Sequence, residues 1–270
     1  KKTVAASAPL FVFADTDIFA KAPKRLTAAG VSDILGKYIA LADWKIASIL
    51  SEEYYCAEVV NLETRAVRTV KDNLKEIAAG EEEACEKLMY ALVLSGLAMQ
   101  MTGSSRPASG AEHHLVHLWD MEVVNGHLDA LHGEKVSGGT MLVLLEYKKI
   151  ADAIRRGTCK VHTCTEEDQE LLKETFGKKG ILGALEKENT PEPLDDVSTR
   201  ELSDALPRIL KIIDALPAVT DMQEMMNTAG CVSRVRDIGL PGEVIEESLL
   251  LAPYTRRRLS LLRLRKMLTY

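Results

Sequence analysis

Five of the six histidines in this 270-residue chain lie in one short window, at positions 113, 114, 117, 127 and 132. Histidine is the commonest metal ligand and titrates closest to neutral pH, so this crowding suggests a site and not a core. His113 and His117 are four residues apart, would share a helix face and could bind one metal together. Glu112 precedes the first histidine, however, so the metalloprotease pattern His-Glu-x-x-His is absent. Taken alone, this pair is better explained as two histidines on a helix surface, but His132 in a nearby glycine-flanked loop shifts the balance towards a metal site. We expect His114 and His127 either to face solvent or to lie next to the ligands without binding the metal.

The elements that must position this window are mainly helical. Only the start of the chain indicates strands, at residues 3–6 and 9–14, and one or two strands cannot form an independent sheet. From residue 21 onward apolar residues recur at helical spacing. Helix start and stop signals predict helices over residues 32–50, 51–80, 81–101, 134–156, 165–176, from 198 onward with Pro207 as a kink or end, 243–252 and 253–268. The expected fold is mainly α, a helical domain over residues 21–270 preceded by a β remnant over 1–20.

The composition is that of an ordinary globular protein, with 46% hydrophobic and 27% charged residues. A net charge of −6 argues against a nucleic-acid-binding surface. No apolar run approaches the roughly 18 residues of a membrane span, and the basic stretch at 256–266 is interleaved with leucines, which favours a packed amphipathic helix. Five scattered cysteines without a Cys-x-x-Cys pair indicate free thiols in a reducing cytoplasm. The first residue is lysine, and the start is interpreted as an internal cut in a longer protein.

Two segments around the histidines carry a resemblance to a known family. They are SGLAMQMTGSSRPASGAEHHLVH (95–117) and LHGEKVSGGT (131–140). Both resemble the glycerol-1-phosphate dehydrogenases, within the wider group of metal-dependent glycerol dehydrogenases, iron-containing alcohol dehydrogenases and dehydroquinate synthases. The likeness extends to residues 14–47 and 238–264 and is weak over 161–235. The resemblance implies the helical, C-terminal part of a dehydroquinate synthase-like fold.

The resemblance also implies roles for particular residues. In the family an aspartate and two histidines bind a divalent metal, usually zinc, and they correspond here to Asp33, His113 and His132. His117 matches a further histidine that lies near the substrate and is not a ligand. Spacing alone would instead pair His113 with His117, and would make Asp33 an ordinary residue near a helix N-terminus. We therefore predict the three residues implied by the resemblance as the ligands. Ni²⁺ or Fe²⁺ would also suit these donors.

A serine and an arginine in the Gly-Ser-Ser-Arg-Pro stretch are candidates for holding an anionic group. The Arg106 guanidinium suits forked hydrogen bonds to phosphate, and Ser105 adds a donor. Arg106 lies seven residues before His113, which is close enough to face the same cavity. The alternative is a surface arginine in the turn that closes the preceding helix.

The nucleotide-binding turn expected of this family is missing from the sequence. Glycine-rich turns at a helix N-terminus bind pyrophosphate, and Gly138-Gly139 does not fit that fingerprint. The residues that bind NAD or NADP are therefore unknown, and little activity is expected of this chain alone. The predicted function is the metal and substrate half of a cytoplasmic oxidoreductase that acts on glycerol-1-phosphate and dihydroxyacetone phosphate. The resemblance also implies a homodimer. The alternatives are another polyol dehydrogenase, a dehydroquinate synthase-like cyclase, or a non-catalytic helical scaffold.

Overall fold

A computed structural model gives the fold, and it describes residues 7–164 and 169–270. Within these ranges the mainly α-helical class is confirmed, because the two short strands pair only with each other. The helices are α1 (Thr16–Ala20), α2 (Lys24–Leu50), α3 (Ala57–Lys71), α4 (Leu74–Ala79), α5 (Glu82–Thr102), α6 (Ala111–Asp120), α7 (His132–Arg155), α8 (Gln169–Gly177), α9 (Leu182–Glu188), α10 (Thr199–Asp214), α11 (Val219–Thr228), α12 (Ile245–Leu251) and α13 (Leu261–Leu264). Short 3-10 helices lie at Val235–Ile238, Gly242–Val244, Ala252–Thr255 and Arg265–Met267. The strands, β1 (Lys160–Val161) and β2 (Leu268–Thr269), are antiparallel, with Val161 opposite Leu268.

Helix α2 runs through the centre of the bundle. Its 27 residues span about 40 Å at 1.5 Å per residue. Apolar residues are buried on all its sides, as is typical of a helix that others enclose, and α3, α5, α6, α7 and α10 pack against it. Its two acidic residues are Asp33 and Asp43. Both are therefore surrounded mainly by protein.

Two glycines let α6 and α7 approach α2 closely. A Cβ atom on Gly133, in the first turn of α7, would lie 2.0 Å from the Ala29 carbonyl oxygen of α2. A Cβ atom on Gly110, just before α6, would lie 2.8 Å from Ala40 Cα. No larger residue fits at either place without moving backbone. These contacts press the starts of α6 and α7 against the helix that carries Asp33.

Several predicted helices are confirmed with shifts of a few residues at their ends. α2 contains the predicted 32–50, and α5 and α7 match 81–101 and 134–156. Ser198 caps α10 by accepting a hydrogen bond from Glu201 N–H, and the helix continues past Pro207, which therefore does not end it. None of the helices in the described ranges is long and apolar enough to cross a membrane.

Three predicted elements are wrong. Residues 51–80 form two helices, α3 and α4, rather than one. Residues 9–14 form no strand: Leu10 and Phe13 are more than 90% exposed, and no neighbouring strand pairs with this segment in the described part of the chain. Residues 253–268 are not one helix, because buried polar groups bind the backbone N–H groups of Leu261 and Leu262. The predicted strand at 3–6 and the helix start at 165–168 lie outside the described residues.

Candidate metal centre and its surroundings

The three ligands implied by the resemblance converge from three helices. Asp33 lies on α2, His113 in the first turn of α6, and His132 is the first residue of α7. One ligand atom of each lies within 4.8 Å of the other two. His113 Nε2 is 3.4 Å and His132 Nε2 is 3.8 Å from Asp33 Oδ1. Donors bound at about 2.1 Å to one tetrahedral ion lie roughly 3–4 Å apart, so this spacing fits a single cation.

Asp33 divides its two oxygens between a lysine and the histidines. Its Oδ2 accepts a hydrogen bond of 2.8 Å from Lys37 Nζ, which leaves Oδ1 facing His113 and His132. Lys37 is only 1% exposed and also donates to the Ala108 carbonyl at 3.1 Å. Burial alone would raise the pKa of Asp33. The charge of Lys37 and the hydrogen bond from His113 outweigh it and hold that pKa well below its usual range, so Asp33 is ionised at neutral pH.

A second carboxylate orients His113. Glu112 is fully buried, and its Oε1 lies 2.7 Å from His113 Nδ1 and accepts a hydrogen bond of 2.8 Å from Gly110 N–H. This contact favours a proton on Nδ1. Nε2 faces Asp33, donates a hydrogen bond to it when protonated, and is the nitrogen that can release its proton to bind a metal. Burial tends to lower the pKa of His113, but Asp33 and Glu112 together raise it. The pocket therefore favours a positive charge, which either a proton or a metal cation can supply.

His132 lies on the open side of the pocket. Its side chain is 51% exposed, against 9% for His113. The turn that carries it is fixed by Glu134, which accepts from Leu131 N–H at 2.8 Å and pairs with Arg25 through both oxygens, at 2.6 and 2.7 Å. A ligand from solvent would thus reach the three donors past His132.

The other histidines of the window lie in three different environments. His117 is half-buried, with its ring centroid 6.3 Å from that of His113 and outside the cluster of three, which suits a place beside the substrate. His127 is exposed and pairs with Glu122, as expected for solvent. His114 is fully buried, and neither ring nitrogen has a hydrogen-bond partner within the described residues. Burial, then the charge of Arg258, lowers the pKa of His114, so its ring is neutral.

The two candidate anion-binding residues have partners within the protein. Arg106 is buried, forms a bidentate pair with Glu53 and donates to the Leu259 carbonyl at 2.8 Å. The Ser105 hydroxyl accepts a hydrogen bond of 2.6 Å from Arg258 Nη2. Arg106 does not point into solvent, but its guanidinium is fully engaged. A direct contact between Arg106 and an anion stays a prediction that this geometry does not favour.

Three residues of this region were missed by reasoning from the sequence. Lys37 follows Asp33 by four residues on a helix, so the pair could have been found from spacing. Glu112 is adjacent to His113, but was noted only because it breaks the metalloprotease pattern. Arg258 gives no local signal, since it comes from a segment about 150 residues further along the chain.

The donor set fits a divalent metal with a free coordination position. One carboxylate and two neutral imidazoles leave a divalent ion with a net charge of +1, and three protein ligands with an open position are typical of catalytic zinc sites. Asp33 is ionised, as a metal ligand must be, and the contact of Glu112 with His113 Nδ1 leaves Nε2 as the nitrogen available to a metal once it is deprotonated.

No protein-family model matches the chain, but curated proteins do. A protein named glycerol-1-phosphate dehydrogenase (NAD(P)+) from Geobacillus thermodenitrificans is 32% identical over 250 residues, 92% of this chain and 55% of that protein. The protein of the same name from Halalkalibacterium halodurans is 34% identical over 263 residues, 97% of this chain and 58% of that protein. The one from Pyrococcus horikoshii is 39% identical over 159 residues, 57% of this chain and 45% of that protein. The chain thus spans about half the length of the curated relatives that it matches.

Proposed function

Because this chain belongs to the family of the glycerol-1-phosphate dehydrogenases, we propose that it forms the metal- and substrate-binding part of an enzyme that interconverts glycerol-1-phosphate and dihydroxyacetone phosphate with NAD(P)H. The observation that carries this proposal is the convergence of Asp33, His113 and His132 from three separate helices. The proposal includes a helical catalytic domain over residues 21–270, with residues 1–20 belonging to the nucleotide-binding part.

The protein's own residues would prepare the site for this chemistry. Asp33, His113 and His132 would hold the divalent cation, with zinc favoured and Ni²⁺ or Fe²⁺ also suited to these donors. When bound, such a cation polarises a substrate oxygen, and the nicotinamide carries the hydride. Lys37 keeps Asp33 ionised, and Glu112 holds the proton on His113 Nδ1. We assign His117 to the substrate side of the pocket.

The nucleotide half of the reaction needs residues that this sequence does not offer. The relatives are named for NAD(P)+, yet no glycine-rich dinucleotide fingerprint occurs in these 270 residues. We propose that the rest of the enzyme supplies that site, that this chain alone has little activity, and that the enzyme acts in the cytoplasm as a homodimer.

Metal analysis of the purified chain tests the proposed centre. After loading with Zn²⁺ and exhaustive dialysis, we expect one ion per chain, and loss of that ion in His113→Ala. The matched control is His127→Ala, which removes an exposed histidine that also pairs with a glutamate. It should retain the ion. A wild-type chain that holds no divalent metal under these conditions contradicts the proposal and favours a non-catalytic helical scaffold.

A substrate panel on the full-length enzyme tests the reaction. We expect NAD(P)H oxidation with dihydroxyacetone phosphate and a much lower rate with dihydroxyacetone. A preference for unphosphorylated polyols would instead identify another polyol dehydrogenase. Phosphate elimination without net change in NAD would identify a dehydroquinate synthase-like cyclase.

A further inference from the structure

Two arginines of the segment 256–265 have no carboxylate partner in the described part of the chain: the exposed Arg257 and the half-buried Arg258. Arg256 pairs with Glu188, Arg263 with Glu192 and Arg265 with Glu146. The half-buried Arg258 donates only to neutral oxygens, from Nη2 to the Ser105 hydroxyl at 2.6 Å and from Nη1 to the Ser109 carbonyl at 3.1 Å. Among the described residues, no carboxylate oxygen lies within salt-bridge distance of it. Its positive charge is therefore not neutralised by direct contact.

The nearby acidic groups make their direct contacts with other residues. Glu53 and Glu112 both act on Arg258 through space, but Glu53 forms a bidentate pair with Arg106, and Glu112 contacts His113. Burial, followed by the charge of Arg106, lowers the pKa of Arg258 to about 10. A half-buried cation in such surroundings is stabilised by an anion from outside.

Neighbouring polar groups add to the case for an external ligand. The Ser105 hydroxyl accepts from Arg258, so its own proton is available to a ligand oxygen. His114 lies close enough for the charges of Arg258 and His117 to act on it, and both of its buried ring nitrogens lack a partner in the described part of the chain. The region thus has several polar groups that the chain itself does not fully satisfy.

This region lies beside the candidate metal pocket. The carbonyl of Ser109 accepts from Arg258, and the preceding carbonyl, of Ala108, accepts from Lys37. Lys37 in turn pairs with Asp33. Two cations, one on each side, therefore hold consecutive peptide carbonyls.

We propose that Arg258 and the Ser105 hydroxyl bind the phosphate of a small phosphorylated substrate whose other end reaches the Asp33–His113–His132 pocket. This inference rests on the proposed function and deepens it, since it names the residue that distinguishes a phosphorylated substrate from a neutral polyol. The guanidinium offers paired N–H donors to phosphate oxygens, which a lysine cannot match. Arg106 then holds the loop that carries Ser105, through Glu53 and the Leu259 carbonyl.

Titration of the metal-free chain with inorganic phosphate, by calorimetry or ³¹P NMR, tests this inference. Without metal, phosphate cannot bind through the cation. We expect Arg258→Gln to weaken binding by at least about tenfold and Arg258→Lys to give an intermediate loss. The control is Arg257→Gln, which makes the same charge change at an exposed neighbour that donates only to the Pro191 carbonyl. It should change the affinity by less than about twofold.

The outcomes separate this inference from the proposed function. Equal losses in Arg257→Gln and Arg258→Gln would show a general charge effect and overturn the subsite, as would a wild-type chain that binds no phosphate. Arg258→Lys, which keeps the charge, guards against a folding defect in Arg258→Gln. Zinc stoichiometry should be unchanged in the Arg258 variants. The two proposals can also fail separately. If Arg258→Gln loses phosphate binding but the wild-type chain holds no metal after Zn²⁺ loading, the subsite is supported and the dehydrogenase proposal is contradicted.

Discussion

Asp33 and Asp43 lie ten residues apart on the same helix, and the protein surrounds them differently. Asp33 is partly exposed and faces a lysine and two histidines. Burial would raise its pKa, but Lys37 and His113 outweigh burial and hold that pKa far below the usual range. Asp43 is fully buried and faces neutral donors. Burial raises its pKa to about 6, although three hydrogen bonds oppose that shift.

Asp43 joins four parts of the fold. Its Oδ1 accepts from Tyr147 O–H of α7 at 2.6 Å and from Leu261 N–H of α13 at 2.9 Å. Its Oδ2 accepts from Ala111 N–H, at the start of α6, at 2.8 Å. The two carboxylates therefore differ in role: Asp43 uses its oxygens to hold helices together, and Asp33 keeps one oxygen for the pocket. In this protein the proposed ligand carboxylate and the structural one differ in exposure and in the direction of the pKa shift.

Removing Asp43 should produce the largest change in stability. We expect Asp43→Ala to lower the free energy of unfolding at pH 5 by at least about 3 kcal/mol, because three buried donors lose their acceptor. Urea unfolding of the metal-free chain measures this. Tyr147→Phe, which removes one donor of the same network, should cost about 1 kcal/mol. A cost below that of Tyr147→Phe would show that Asp43 does not join these elements.

Changing Asp33 should instead affect metal binding. Asp33→Asn keeps an oxygen for Lys37 but loses the anionic ligand, so we expect Zn²⁺ affinity to fall by more than about 100-fold, beyond the loss typical of residues that only support a ligand. Calorimetric titration with Zn²⁺ measures the change, and Tyr147→Phe should bind Zn²⁺ like the wild type. If Asp33→Asn kept the wild-type Zn²⁺ affinity, Asp33 would not be a metal ligand and would not differ from Asp43 in this respect.

The two carboxylates should also differ in how they make the free energy of unfolding depend on pH. Asp43 is the one whose effect can be tested. Its folded-state pKa of about 6 lies above the ordinary value of 3.8, so its stabilising contribution is present at low pH and is lost as the pH rises through about 6. Tyr147 of α7 and Glu112 of α6 are the titratable groups facing it. The stability difference between wild type and Asp43→Ala should therefore shrink by about 1.4 kcal/mol per pH unit between about pH 4 and pH 6. If the stability difference instead grew over this pH range, the pKa of Asp43 would be lowered by folding and not raised.

The smallest effect is expected from Glu112, which supports a ligand without being one. Glu112→Gln should weaken Zn²⁺ binding by about tenfold, because the amide holds the His113 tautomer less strongly. The control is Glu122→Gln, which alters an exposed glutamate–histidine pair and should leave the affinity unchanged. Equal affinities in wild type and Glu112→Gln would show that the tautomer is held by other contacts.

The sequence predicted most of the long helices, and it led to the candidate site only through the resemblance. Helical periodicity located α2, α5 and α7 because their buried faces are long and apolar. It failed at residues 253–268, where Asp43 and Tyr147 bind the backbone of a segment more than 100 residues away. Such tertiary contacts leave no trace in local spacing.

The candidate site shows the same limit. Spacing alone paired His113 with His117, whereas the fold brings His113 to His132 and to Asp33, eighty residues earlier. Nearness to His113 in the sequence likewise favoured Arg106 as the anion-binding residue. The structure shows that Arg106 already forms an ion pair with Glu53. The competing arginine, Arg258, reaches Ser105 across about 150 residues of chain.

The contact of Gly133 with the Ala29 carbonyl has a consequence for which substitutions this site tolerates. A single methyl group there would force the start of α7 outward and carry the adjacent imidazole of His132 with it. The proposed cation binding therefore depends also on a position that contributes no donor atom. A survey restricted to the three donors would overlook variants in which that capacity had been lost.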